Sequence, residues 1–148
     1  MSRIPAPQLM ESNWTAEQQD LARATRLYYN GSGAKIAAGS AVVQDLSIST
    51  ATAALGQAIK KDTTADSPGF IGVVDVDIPN LTWGMVVVQG TKTLALAEAG
   101  IAAGDLVQKS GVAGTLEKAF ATTERAVGRA LTATASGSIT VVLFGAGN

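Results

Sequence analysis

The chain of 148 residues contains no cysteine and no histidine. Zinc sites built on those ligands, cysteine or histidine nucleophile pairs, haem ligation and Ser-His-Asp triads are therefore excluded. No disulfide framework can form either. Aromatic residues number two Trp, two Tyr and three Phe, and charged residues make up only 16% of the chain. Eleven Lys and Arg against twelve Asp and Glu give a net charge of −1, so there is no basic excess to neutralise phosphates and nucleic-acid binding is disfavoured. No apolar run reaches the 18 or more residues that a membrane helix needs, and no membrane partner is expected. The first ten residues, with Pro5, Pro7 and one Arg, do not match a secretory signal. A soluble protein made in the cytoplasm of its producer is the expectation.

What the chain has instead is small residues: 26 Ala and 16 Gly. Low charge and positive mean hydropathy in a chain without a membrane span suggest apolar surface and association between subunits. Length alone favours one compact body with its own core.

Two regions differ in texture. Residues 1–26 read as an N-terminal arm and residues 27–148 as a β-barrel or β-sandwich body. The arm carries Ile4, Pro5, Pro7, Leu9 and Met10 without a 2.0 or 3.6 period, which predicts an extended course, since proline disfavours helix in itself and in the residue before it. Thr15-Ala16-Glu17-Gln18 then fits a capping box, and Leu21, Ala24 and Tyr28 share one helical face. A short helix over about residues 16–27 is predicted.

From Leu27 onward, β-branched and Ala-rich runs are punctuated by Gly, Asn, Asp and Ser, the pattern of an all-β fold. Residues 74–78, Val-Asp-Val-Asp-Ile, predict a strand with one wet face, ended by a turn at Pro79-Asn80. Residues 85–88 predict a strand covered on both faces, with residues 91–97 as its hairpin partner around Gly90. Further strands are expected at residues 106–109 and 139–144, the latter after the turn Ala135-Ser136-Gly137-Ser138. Residues 116–131 carry partly helical spacing between Gly114 and Gly128, and are read as short strands.

An internal pseudo-repeat runs through this body. Ile36-Ala37-Ala38-Gly39 followed by Val42 recurs as Ile101-Ala102-Ala103-Gly104 followed by Val107. Ile71-Gly72-Val73, Val87-Val88 and Gly90 recur as Val127-Gly128-Arg129, Val141-Val142 and Gly145 at nearly equal spacings. Strand order repeating in two halves is the reading.

Candidate chemistry is sparse. Gly31-Ser32-Gly33-Ala34-Lys35 lacks the second glycine and the Ser or Thr of a phosphate loop, and reads as a turn. Gly111-Val112-Ala113-Gly114 reads as a loop rather than a nucleic-acid clamp. Asp75 and Asp77 would share one strand face as paired carboxylates, which a solvent face explains fully. Asp62, Asp66, Thr63 and Thr64 do not have EF-hand spacing, and Lys60-Lys61 and Arg125 with Arg129 read as solvated or interface charges. No catalytic residue, cofactor or metal site is expected. Trp14, Tyr28 and Tyr29 place three aromatics where the chain is least able to make its own core, a pattern suited to anchoring on a partner. Packing of the two tyrosines onto the chain's own body is the competing reading.

The course Tyr29-Asn30-Gly31-Ser32-Gly33, Ile36-Ala37-Ala38-Gly39-Ser40-Ala41-Val42-Val43, Ile71-Gly72-Val73-Val74 and Gly84-Met85-Val86-Val87-Val88-Gln89-Gly90 resembles a β module of bacteriophage virion proteins. Ala103-Gly104-Asp105-Leu106-Val107 and Val127-Gly128-Arg129-Ala130-Leu131 through residues 138–143 resemble its closing strands. Such modules occur in capsid decoration (cement) proteins and in tail or head fibres. The resemblance implies a non-enzymatic virion component on the capsid surface, binding the major capsid protein as a homo-oligomer, with a trimer favoured. The resemblance covers about residues 27–145 and leaves the N-terminal 26 residues outside; read from its prolines and aromatics, the capsid-binding arm is expected to comprise Ile4, Pro5, Pro7, Leu9, Trp14, Leu21, Tyr28 and Tyr29. A fibre module that binds a host receptor is the alternative.

Overall fold

The computed structural model describes residues 23–48, 57–66, 68–120 and 126–145. Among these, every regular element is a strand: β1 (Ala24–Asn30), β2 (Ala41–Gln44), β3 (Ala58–Lys60), β4 (Phe70–Val74), β5 (Thr82–Leu96), β6 (Leu106–Lys109), β7 (Leu116–Lys118), β8 (Gly128–Ala130) and β9 (Ser138–Leu143). The all-β expectation holds. The capping box and Trp14 lie outside the described residues.

The first five strands close on themselves in the order β1-β3-β2-β4-β5, and β5 pairs back onto β1. Every pairing in this barrel is antiparallel except β1–β3. The other four strands continue the sheet as β5-β9-β8-β6-β7, all antiparallel. A parallel bridge between Ala97, just after β5, and Leu116 of β7 brings the two ends of this second set together. The C-terminal lobe thus repeats the strand order and polarity of the N-terminal barrel.

Hydrogen bonds repeat as well. At the two Ile-Ala-Ala-Gly corners, Gly39 N–H donates to Val74 O and Gly104 N–H to Ala130 O, both at 2.8 Å. Val74 N–H then donates to Ser40 O, and Ala130 N–H to Asp105 O. Gly39 and Gly104 hold φ of 87° and 92°, a region that side chains with a Cβ rarely enter, which is why both corners carry glycine. A Cβ at Gly72 would collide with Val87 O, and one at Gly128 would lie 2.5 Å from Val142 O. These glycines let neighbouring strands approach in each half.

The cores match position by position. Ile36, Val42, Ile59, Val74, Val86 and Val88 form one buried cluster with Ile78. Their counterparts Ile101, Val107, Leu116, Ala130, Val141 and Leu143 belong to the other, so the register corrects the expected match by one residue: Val86-Val87, not Val87-Val88, corresponds to Val141-Val142. Ala41, Val73 and Val87, on the outer side of the barrel, are buried in that second cluster and join the lobes. Two main-chain bonds reinforce the joint, Leu96 N–H to Gly39 O at 2.9 Å and Ala41 N–H to Gly114 O at 2.8 Å.

Three further expectations are corrected. Residues 24–27 are not helical, because their backbone groups ladder with β5 through Thr25↔Val87, Arg26↔Val86 and Leu27↔Met85, and this tertiary pairing overrides the local helical spacing. The body therefore begins at least as early as Ala24 rather than at Leu27. Residues 91–97 are not a hairpin partner of 85–88, since β5 runs straight through Gly90 (φ 92°). Its first part pairs with β1 and β4 and its second with β9, so the glycine serves the transfer between lobes. Residues 74–78 are not one strand: β4 stops at Val74, and Ile78 makes only an isolated bridge to Ile36. Val76, which strict alternation would bury, is 63% exposed. Residues 116–131 supply short strands at β7 and β8, as read from the sequence.

Candidate functional site

Along the antiparallel β1–β5 ribbon, side chains alternate between the barrel core and its outside. Ala24, Tyr28, Val86 and Val88 take the core side. Leu27, Tyr29, Trp83 and Met85 take the other face. There Leu27 stands opposite Met85 and Tyr29 opposite Trp83. The Tyr29 and Trp83 rings sit 5.5 Å apart with their planes at 58°, a tilted aromatic pair. Leu27 is 50% exposed and Trp83 37%, and exposed Leu81 (φ 61°) continues the apolar strip past the end of the strand.

Buried Asn30 fixes the end of this ribbon. Its Nδ2 donates to Ala34 O at 2.8 Å and Ile78 O at 2.9 Å, while its Oδ1 accepts from the Ser32 backbone N–H at 3.0 Å and hydroxyl at 2.7 Å. The Gly31-Ser32-Gly33 segment is thus a turn pinned by an asparagine, with no arrangement for a phosphate.

The duplicated lobe provides an internal control. Outer positions matching Tyr29, Trp83 and Met85 are Leu96, Ser138 and Thr140, with Leu96 opposite Ser138 in the β5–β9 register, while Leu27 matches the irregular stretch between Lys92 and Ala95 that holds the exposed Leu94. Ser and Thr therefore satisfy this fold where the N-terminal barrel carries Trp and Met. The large apolar residues on the barrel's ribbon are not a requirement of the architecture.

Tyr28 and Tyr29 both lie in β1, within the barrel. Tyr28 packs against the barrel core and Tyr29 against Trp83, so the structure brings only Tyr29 to the exposed strip. Ile4, Pro5, Pro7, Leu9, Trp14 and Leu21 lie outside the described residues. Trp83, Met85 and Leu27 were missed by sequence reasoning: Met85 lay in a strand read as covered on both faces, Leu27 closed the expected helix, and Trp83 preceded the expected strand. The signal that could have found them is the repeat itself, aligned residue by residue.

The two aspartates diverge. Asp75 lies 3.4 Å from Arg23 and 3.8 Å from Lys92, whose buried ammonium is held below the ordinary lysine range by loss of hydration, partly offset by Asp75. Asp77 accepts the Ala38 N–H at 2.7 Å and lies 3.5 Å from Lys35. That backbone hydrogen bond, with Lys35 adding to it, holds the Asp77 carboxyl below its usual value. Each carboxylate has its own structural partners, and the pair does not form an acid–base dyad. Among the described residues, no group of three or more His, Cys, Asp or Glu side chains is placed to hold a metal ion, and no helix is long and apolar enough to cross a membrane.

Elsewhere, Lys109 is buried with its ammonium donating to Ser110 O at 2.6 Å and Thr64 O at 3.4 Å, which ties residues 62–66 to the C-terminal lobe. Arg129 caps the second corner, Nη1 donating to Gly104 O at 2.7 Å. These contacts are structural. A scan against protein-family models finds no match to this chain, and a search of curated proteins finds none either.

Proposed function

We propose that this protein is a structural component of a bacteriophage virion that binds the outer surface of the capsid and stabilises contacts between capsomers of the major capsid protein. The observation that carries the reading is the inequality of the two ribbons: Tyr29, Trp83 and Met85 on one lobe against Leu96, Ser138 and Thr140 on its duplicate. A Trp-Tyr-Met face on a rigid β scaffold suits protein contact, where such residues commonly dominate the binding free energy. The likeness of the glycine corners and apolar pairs to phage decoration modules supplies the partner. The protein works by contact rather than reaction, as a homo-oligomer for which a trimer matches local capsid symmetry. Many copies on one lattice need little affinity each, since neighbouring contacts raise the effective concentration.

Co-sedimentation of the full-length chain with empty capsid shells tests this. Wild-type protein should pellet with shells, and a Trp83→Ser/Met85→Thr variant, which copies the other lobe, should lose about 2 kcal/mol of binding, roughly 30-fold in affinity. Failure of the wild-type chain to pellet at several salt concentrations would overturn the proposal. Label found at the tail of virions by electron microscopy would favour the fibre alternative.

A further inference from the structure

One end of the N-terminal barrel opens into a cavity of about 270 Å³. Ala24, Ile71 and Val88 give it apolar walls, and the half-buried Tyr28 adds a ring and a hydroxyl. The exposed Arg26 and Gln89 bring a guanidinium and an amide to the same space, and Gly145 completes the lining. A Cβ at Gly145 would stand 3.3 Å from the Gln89 amide, so the glycine keeps room beside it. Alternation along β1 puts Arg26 between Ala24 and Tyr28, on a side whose other members in this ribbon are Ala, Tyr and Val. Among the described residues, no ion pair or hydrogen bond engages the side chains of Arg26, Tyr28 or Gln89. The barrel does not require these groups. In the duplicated lobe Ala95 matches Tyr28 and Phe144 matches Gln89, and the residue two places before Ala95 is Thr93, where Arg26 precedes Tyr28.

We propose that this cavity is a binding site for a small carboxylic acid with an apolar ring. A guanidinium without a partner is a planar fork that meets a carboxylate through two parallel hydrogen bonds. Arg26 is the one charged residue of the lining, so it balances a monoanion. A phosphate monoester, at about −1.5 to −2 near neutral pH, would leave charge uncompensated beside apolar walls. The Tyr28 hydroxyl and the Gln89 amide are neutral donors for the same carboxylate. The rest of the ligand meets Ala24, Ile71, Val88 and the Tyr28 ring, surfaces that favour an apolar body and stack with a flat one. A volume just below the roughly 300–1,000 Å³ of drug-sized pockets admits a single ring and its acid group. Because the lining comes from β1, β4, β5 and the residue two places after β9, an occupant joins the two lobes at this end. The site lies on the core side of the β1–β5 ribbon, away from the Trp83 face, and does not rest on the capsid reading.

Titration of the full-length protein with benzoate, followed in two-dimensional proton–nitrogen spectra, tests this. Benzoate should give saturable shifts at the Ala24 and Gly145 backbone amides and the Gln89 side-chain amide, with a dissociation constant below about 10 mM, in keeping with its few non-hydrogen atoms. Benzamide keeps the ring without the charge, and acetate keeps the charge without the ring. Each should bind roughly tenfold more weakly or worse. Arg26→Gln should weaken benzoate by a similar factor, and Ala24→Leu, which fills the cavity and leaves the guanidinium, should abolish its binding. Far-UV circular dichroism should stay that of a β protein in both variants. Absence of saturable shifts with benzoate, benzamide or acetate binding as well as benzoate, or benzoate binding kept in either variant overturns the proposal. Inorganic phosphate binding as tightly as benzoate also overturns it.

Discussion

The N-terminal barrel and the C-terminal lobe share a strand order, a corner geometry and a set of core positions, yet they part at three places. In the core, Ile78 fills the space above Gly84, where a Cβ would overlap the isoleucine. The matching pair in the other lobe is Thr134 and Ile139, so the bulk moves from the preceding loop to the strand. Across the ladder the exchange is mirrored, with Tyr28 opposite Gly84 and Ala95 opposite Ile139. On the outside, an aromatic and methionine face in one lobe is Ser and Thr in the other. At the third place, Gln44 in β2 matches Lys109 in β6, a buried cation. What the halves share is what the architecture needs, and what differs has been released for packing variants or for binding.

The largest expected effect tests whether the halves are one body. Leu116, fully buried and the counterpart of Ile59, should cost about 2–5 kcal/mol when replaced by Ala. Because Ala41, Val73 and Val87 of the barrel share its cluster, urea unfolding followed by Trp83 fluorescence, in a Trp14→Phe background, should show the loss in a single transition. Two separated transitions would break the comparison into independent lobes. Next in size is the exchange of bulk. Gly84→Ala should destabilise by roughly 1–3 kcal/mol, and by almost nothing in an Ile78→Ala background. Additive losses in a double-mutant cycle would show that the two positions do not compensate.

Smaller still is the intrinsic cost of making the ribbons alike. Trp83→Ser/Met85→Thr should lower stability by no more than about 1.5 kcal/mol, the worth of an exposed aromatic pair, while its effect on binding is large. A greater loss in thermal unfolding would make the ribbon a structural element. The smallest effect concerns Lys109, whose ammonium burial holds below its ordinary value of 10.5 against the opposing pull of Asp62 and Glu117. The unfolded chain keeps its proton to higher pH than the folded one, so stability should rise with pH as the folded-state lysine deprotonates, up to 10.5. Lys109→Gln, copying Gln44, should reduce that rise in urea midpoints measured from neutral to alkaline pH, leaving the part that Lys92 contributes in the same direction.

Much of the fold was legible in particular residues. Gly39 and Gly104 announce corners because only glycine enters their backbone region cheaply, and the Ile-Ala-Ala-Gly strings around them mark the duplication. Ser136 and Gly137, with φ of 53° and 77°, form the hairpin turn expected before β9. The apparent strand at residues 74–78 was misleading, since Asp77 satisfies the corner at Ala38 instead of lining a sheet. The candidate site was less legible. Tyr29 was singled out, but its partner Trp83 sits more than fifty positions away in sequence, and only the β1–β5 register shows that the two meet.

By itself, the sequence determined the all-β class, the repeated corners and the lack of His and Cys chemistry. Each of these is a local property, set by a residue's own backbone preferences or functional groups. Only the tertiary structure decided that β5 is one strand serving two lobes, that residues 24–27 extend rather than coil, and that one ribbon of the duplicated pair carries Trp83 and Met85 outward where the other carries Ser138 and Thr140. Strand partners and the side that becomes interior follow from long-range pairing and shared burial, for which no short stretch of sequence holds both halves of the information.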